Sequence, residues 1–108
     1  MNLPQVDPEM YKSRRAPMTA QQRGSQVARA MGAITAAGLV NGARYSTRTK
    51  RVIRLRVAGE MLGRQEVESF NDLTDAELRG VNATLVRCKH TVAEWLRGQD
   101  FEGRPVNG

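Results

Sequence analysis

The chain has little of what disulfide-bonded and membrane-spanning proteins need. Its 108 residues include a single cysteine, Cys88, so no disulfide can form within the chain. This agrees with a reducing compartment, and we expect the protein in the cytoplasm, or in a virion if it is a phage component. The longest apolar stretch, residues 30–40, is well short of the roughly 20 residues that a bilayer-crossing helix needs. No membrane span is expected.

Histidine is equally scarce, which leaves little for catalysis or metal binding. His90 is the only histidine, and no serine, cysteine or second histidine stands at a spacing that makes a nucleophile and base pair. Cys88 and His90 could supply two zinc ligands, but a structural zinc site needs four. No glycine loop is followed by Lys-Ser or Lys-Thr, so nucleotide binding has no support. The sequence predicts a protein that is not an enzyme and that uses no metal or other cofactor.

Aromatic residues make up only 5% of the chain, and its apolar residues are mainly alanine, leucine, valine and methionine. This composition favours helices over a β-sandwich or barrel. The length fits one small domain with tails. We therefore expect a mainly α fold, with a single helical domain over residues 24–98. An extended or disordered, proline-containing arm over residues 1–23 precedes it, and a C-terminal tail over residues 99–108 follows it.

The first two of three expected helices lie in the basic part of the chain. One runs from residue 25 to residue 40 and stops at Asn41-Gly42, a typical C-cap signal. The other covers residues 49–63, where apolar residues recur at helical spacing and pairs of opposite charge stand four residues apart.

The third helix, residues 75–97, has the clearest signals. Thr74 and Glu77 match a capping box, and a mostly apolar stripe follows. A second Thr-x-x-Glu pattern, at residues 91–94, predicts an interruption of the helix near residues 89–91. Trp95 is expected to serve as a core anchor.

The middle segment also fits a strand, which opens an alternative fold. Residues 51–57, Arg-Val-Ile-Arg-Leu-Arg-Val, alternate with a period of two and are rich in β-branched residues. With helices over residues 59–70 and from residue 74 onward, residues 50–80 resemble the ribbon-helix-helix family of plasmid and phage DNA-binding proteins. The Leu-Thr-Asp-Ala-Glu-Leu-Arg of residues 73–79 is similar to the entrance of that family's second helix. The resemblance implies an obligate β-α-α dimer whose two-stranded ribbon enters the major groove of DNA.

Charge is distributed unevenly along the chain. Residues 1–56 hold eleven Lys and Arg and only two acids, whereas residues 57–108 hold six Lys and Arg and nine acids. The positive charge peaks in six cations within thirteen residues: Arg44, Arg48, Lys50, Arg51, Arg54 and Arg56. A cluster of this kind, with no acid inside it, is typical of a site for a polyanion. Tyr45, beside the first of these cations, is a candidate for stacking on an exposed base.

Two classes of function agree with this pattern. The first is a small basic nucleic-acid-binding accessory or regulatory protein of phage or plasmid type, whose cluster contacts phosphates of DNA or RNA. The second is a non-enzymatic protein-interaction module, such as an inhibitor, adaptor or virion component, whose cluster docks on an acidic partner surface. A further arrangement is a homo-oligomer in which the basic half of one copy meets the acidic half of the next.

Overall fold

A computed structural model describes residues 3–13, 16–40 and 45–99 of the chain. Within these ranges it contains four α-helices, two short 3₁₀ helices and no strand. Helix α1 spans Ala20–Val40, α2 spans Thr47–Leu62, α3 spans Asp75–Arg87 and α4 spans Lys89–Arg97. The mainly helical fold that the sequence predicts is confirmed.

Residues 51–57 lie inside α2, so the ribbon-helix-helix alternative is wrong. The reason is the spacing of the apolar residues that are buried in the core. Ile53, Val57 and Met61, four residues apart in turn, are all buried. That spacing places them on one side of a helix, whereas a strand would bury alternate residues. The period-two pattern arises because Arg54 and Arg56, which point to different sides of the helix, fall between apolar residues of the sequence.

Both ends of α2 have local signals that define them. The Ser46 hydroxyl accepts a hydrogen bond from the Thr49 N–H at 3.2 Å and caps the first turn. At the other end Gly63 has φ +67, the left-handed conformation that ends many helices and that glycine adopts without a steric penalty. The predicted helix over residues 49–63 therefore matches the observed one closely.

Helix α1 begins at Ala20, five residues before the predicted start. The Thr19 hydroxyl accepts a hydrogen bond from the Gln22 N–H at 3.1 Å, and the Gln22 side-chain oxygen accepts one from the Thr19 N–H at 2.9 Å. This reciprocal pair is a capping box of the Thr-x-x-Gln type. Residues 20–23, which the prediction placed in the arm, thus form the first turn of α1. The predicted stop at Asn41-Gly42 lies outside the described residues.

The predicted third helix is divided in two, which gives four helices instead of three. Its capping box is confirmed: the Thr74 hydroxyl accepts from the Glu77 N–H at 3.1 Å, and the Thr74 N–H donates to Glu77 Oε1 at 2.8 Å. Helix α3 ends at Arg87, because Cys88 has φ −122 and ψ 37, outside the helical region. The interruption thus falls one residue before the predicted range of 89–91.

The described part of the N-terminal segment is extended, with a 3₁₀ helix over Pro8–Tyr11 that packs against α3. Leu3 and Val6 are only 3% and 7% exposed and belong to the core. The Val6 N–H donates to the Met61 carbonyl oxygen at 2.7 Å. Residues 3–11 therefore lie against the helices, and the boundary that sequence analysis draws between arm and domain does not separate them from the core.

The core lies between α1 and the other three helices, each of which α1 contacts. Its largest fully buried side chains include Ile34 of α1, Val57 and Met61 of α2, and Leu78 of α3. Trp95 is also buried, which confirms its predicted role as a core anchor. Among the described helices, none is both long and apolar enough to cross a membrane.

Candidate anionic-partner interface

Helix α2 carries five of the six cations that sequence analysis selects, and Arg44 lies outside the described residues. The helix repeat brings some of them together and separates others. Arg48, Arg51 and Arg54 follow one another at three-residue steps, and Lys50 stands one turn before Arg54. At about 100° per residue, Arg56 points roughly 140° or more away from Arg51 and Arg54. We call Arg48, Lys50, Arg51 and Arg54 the basic face; Arg56 lies outside it.

The side chains of the basic face are accessible. Arg48 and Arg51 are exposed, Lys50 and Arg54 are half-buried, and Arg56 is exposed. The opposite side of α2 faces the core through Ile53 and Val57 (both buried). The cations therefore stand on a helix whose other side packs on the core, so the backbone positions that carry them are fixed by the fold.

No acid within the described residues pairs with these five cations. The ion pairs there are formed by Lys12 with Glu9, Arg23 with Asp75, and Arg64 with Glu77. Within the described residues, Arg51 is the one cation of the basic face with a side-chain hydrogen bond, to the Glu68 backbone oxygen at 3.3 Å. The positive charge of the basic face is thus not neutralised by an acid of the described part of the chain.

The position of the cations within α2 adds to this field. The first turn of α2 contains no acid and holds Arg48 and Lys50, at the end where the helix dipole is positive. Each such cation costs about 0.3–1 kcal/mol relative to a favourable placement. Helix α3 shows the usual arrangement, with Asp75 and Glu77 in its first turn. Charge and dipole in α2 act in the same direction, and an anion would be attracted by both.

A cavity of about 300 Å³ adjoins the basic face, between α1, α2 and the 3₁₀ helix over Phe70–Asp72. Its lining combines Arg51 and Arg54 with apolar side chains, among them Met31 and Leu55, but it also includes the acid Glu68. The cavity therefore has charges of both signs beside its apolar walls.

Tyr45, the candidate for base stacking, stands just before α2 and is half-buried. Its side chain packs against the core, and its ring lies beside α1, where a Cβ on Gly38 would be 3.8 Å from its Cε2. With Ile34 and Ile53 it lines a narrow space. Its ring is therefore engaged on at least one side by the protein itself, and stacking on a base stays a prediction.

Arg23 shows that the basic part of the chain is not all available to a partner. Its guanidinium forms an ion pair with Asp75 and donates to the Leu73 carbonyl oxygen at 2.6 Å and to that of Asn71 at 3.3 Å. It therefore ties α1 to the start of α3. Counting charges along the sequence includes Arg23 in the basic half, residues 1–56, although its role is structural.

Comparisons with known proteins add no information about the basic face. No protein-family model matches the chain, and no curated protein or solved structure is significantly similar to it.

Proposed function

We propose that this protein is a small, non-enzymatic nucleic-acid-binding accessory or regulatory protein that contacts phosphates through α2. The observation that supports the proposal is the basic face: four cations on one accessible side of a packed helix, with no acid in the described residues paired to them. A phosphate backbone supplies evenly spaced negative charges to such a surface. The proposal places the protein in the cytoplasm, or in a virion, where nucleic acid is accessible.

The salt dependence of binding tests the contact directly. If the four cations of the basic face contact phosphates, the logarithm of the affinity for duplex DNA should fall against the logarithm of salt with a slope near −3.6. We would measure it by fluorescence anisotropy with a duplex, a DNA single strand and an RNA of one sequence. The three affinities would also identify the type of nucleic acid, which the charge pattern leaves open.

A pair of variants with equal net charge locates the contact. Replacing Arg48, Arg51 and Arg54 by Gln should weaken binding strongly at low salt and make the slope shallower by about 2.7 for duplex DNA. Replacing Arg79, Arg87 and Arg97 of α3 and α4 by Gln removes the same charge elsewhere and should change the slope little. Equal losses in the two variants would mean that total charge, not the basic face, is responsible, and would contradict the proposal.

One observation favours the alternative, a module that docks on an acidic protein. Val52 is 38% exposed and stands between Arg48 and Arg56, one turn from each. An apolar side chain among arginines suits a protein surface, where interfaces combine apolar contact with charge complementarity. Val52→Ser should leave phosphate binding nearly unchanged but weaken docking on a protein, so this variant distinguishes the two functions.

A further inference from the structure

A second cavity, of about 440 Å³, lies between α1, α3 and α4 and shares no residue with the basic face. Its volume falls within the range of about 300–1,000 Å³ that small-molecule sites occupy. The proposed nucleic-acid contact makes no use of it. We refer to it as the α1/α4 cleft.

The sequence of α1 explains why there is space here. Arg29, Ala33 and Ala36 stand at positions i, i+4 and i+7, so they share one side of the helix, and all three are exposed. Alanine leaves a gap where a larger side chain would close the contact with α3. Across the gap the lining is apolar, with Leu85 buried and Val86 67% exposed.

The polar groups that line the cleft are mainly basic. Arg29 comes from α1, and Lys89 and His90 come from the first turn of α4; none of the described residues that line the cleft is an acid. Within the described residues none of these three side chains has a recorded ion pair or hydrogen bond. The remaining polar residue, Asn82, already donates to the Gln26 backbone oxygen at 3.0 Å and to its side-chain oxygen at 2.7 Å.

The size of the apolar surface favours a small ligand over a protein. Val86 is the only strongly exposed large apolar side chain in the cleft, whereas a standard protein interface buries about 800 Å² on each partner. A cavity with apolar walls and a few placed polar groups is instead the usual form of a small-molecule site. Because two of those groups, Arg29 and Lys89, are cationic, the ligand should carry a negative charge.

We propose that the α1/α4 cleft binds a small amphiphilic carboxylate. Its aliphatic or aromatic body would lie against Ala33, Ala36 and Val86, and its carboxylate would pair with Arg29 and Lys89. Charge-assisted hydrogen bonds from such cations to a carboxylate are stronger than neutral ones, which would fix the orientation of the ligand. The inference stands independently of nucleic-acid binding.

Decanoate is a suitable probe, titrated into the full chain and followed by heteronuclear NMR. We expect saturable binding with shifts confined to residues that line the cleft. The double variant Arg29→Gln, Lys89→Gln should bind decanoate at least tenfold more weakly, since two charge-assisted contacts are lost. The matched control Arg48→Gln, Arg56→Gln removes the same charge from α2 and should bind as the parent does. Decan-1-ol, with the same chain and no charge, should bind more weakly than decanoate.

Filling the cleft gives a test that does not change charge. Ala36→Leu should prevent decanoate binding, whereas Ala28→Leu, on an exposed part of α1 outside the lining, should not. Leucine is nearly as good a helix former as alanine, so both variants should keep α1, which circular dichroism would verify. The proposal is overturned if the parent shows no saturable binding, if Ala36→Leu binds equally well, or if decanol binds as tightly as decanoate.

Discussion

Asp75 is the residue through which the start of α3 is joined to the chain before α1. Its carboxylate accepts a hydrogen bond from the Met18 N–H at 2.8 Å and pairs with the Arg23 guanidinium. The Met18 hydrogen bond and then the Arg23 contact lower the pKa of Asp75 below its ordinary value of 3.8, against the opposing effect of burial. These contacts join residues more than fifty positions apart, which is why no local pattern in the sequence indicates them.

Because the pKa of Asp75 is lowered in the folded protein, the free energy of unfolding depends on pH. Because the folded pKa lies below the unfolded one, the stabilisation is fully present above the unfolded pKa and is lost as pH falls through the folded value. Asp75→Asn should therefore destabilise the protein at pH 7 and reduce the loss of stability below about pH 4. Urea unfolding at pH 7 and pH 3 measures both effects. Asp72→Asn, at an exposed position with no recorded side-chain contact, is the control, and an equal effect from it would refute the assignment.

Gly80 is the residue that lets the N-terminal segment approach α3. A Cβ at this position would overlap Val6 and lie 3.0 Å from Cδ2 of Tyr11. Glycine inside a helix usually costs about 0.5–1 kcal/mol relative to alanine, so its presence here fits a steric requirement of residues 3–11.

Substitution of two glycines should therefore have opposite effects. Gly80→Ala should destabilise the protein by about 1–3 kcal/mol, because the buried Val6 must move. Gly32→Ala, at an α1 position where a Cβ meets nothing within 4 Å, should stabilise it by about 0.4–1 kcal/mol. Thermal unfolding of both variants gives the comparison. A stabilising Gly80→Ala would mean that residues 3–11 do not hold their position on α3 in solution.

At the scale of the element, helix starts depend on single side chains. Thr74 satisfies a backbone N–H at the start of α3 that would otherwise lack a partner, so Thr74→Ala should cost about 0.5–2 kcal/mol. Chemical denaturation measures this directly. Thr47→Ala is the matched control, because Thr47 is exposed in the first turn of α2 and caps no helix. A loss as large in the control as in Thr74→Ala would show that the cap contributes nothing of its own.

The sequence predicts these elements well where the signal is local. The Thr74 capping box and the apolar stripe after it correctly predict the start of α3. The helical spacing of apolar residues correctly predicts α2. The start of α1 has a local signal too, the Thr-x-x-Gln pattern at residues 19–22, which the prediction of a start at residue 25 did not use. The packing of Leu3 and Val6 has no such signal, because the surface that buries them forms only when α2 and α3 come together.

The candidate site, too, has a part that local sequence predicts and a part that depends on the tertiary fold. The density of cations along residues 44–56 is enough to locate the basic face, but not to decide which cations share a side. That depends on whether the segment is a helix or a strand: the sequence favours the helix but also fits a strand, and the burial of Ile53, Val57 and Met61 on one side decides for the helix. The α1/α4 cleft could not be predicted at all, since it is formed by residues of three helices whose arrangement is a property of the tertiary fold.

At the scale of the whole molecule, the core closes within one chain. The ribbon-helix-helix alternative implied an obligate dimer, because its strand would have had no partner within the chain. In the observed fold α2 packs against α1 and α3 of the same chain, and its buried residues need no second copy.

We therefore expect a monomer that folds alone. The unfolding midpoint should not change between about 5 and 200 μM protein, since only a folding reaction linked to association depends on concentration. Sedimentation equilibrium should give a mass near 12.0 kDa. An unfolding midpoint that rises with protein concentration would contradict this expectation. The effect of salt on that midpoint would then show which kind of contact joins the copies. An assembly of basic halves on acidic halves dissociates as salt screens the charges, whereas one built on apolar surface does not weaken.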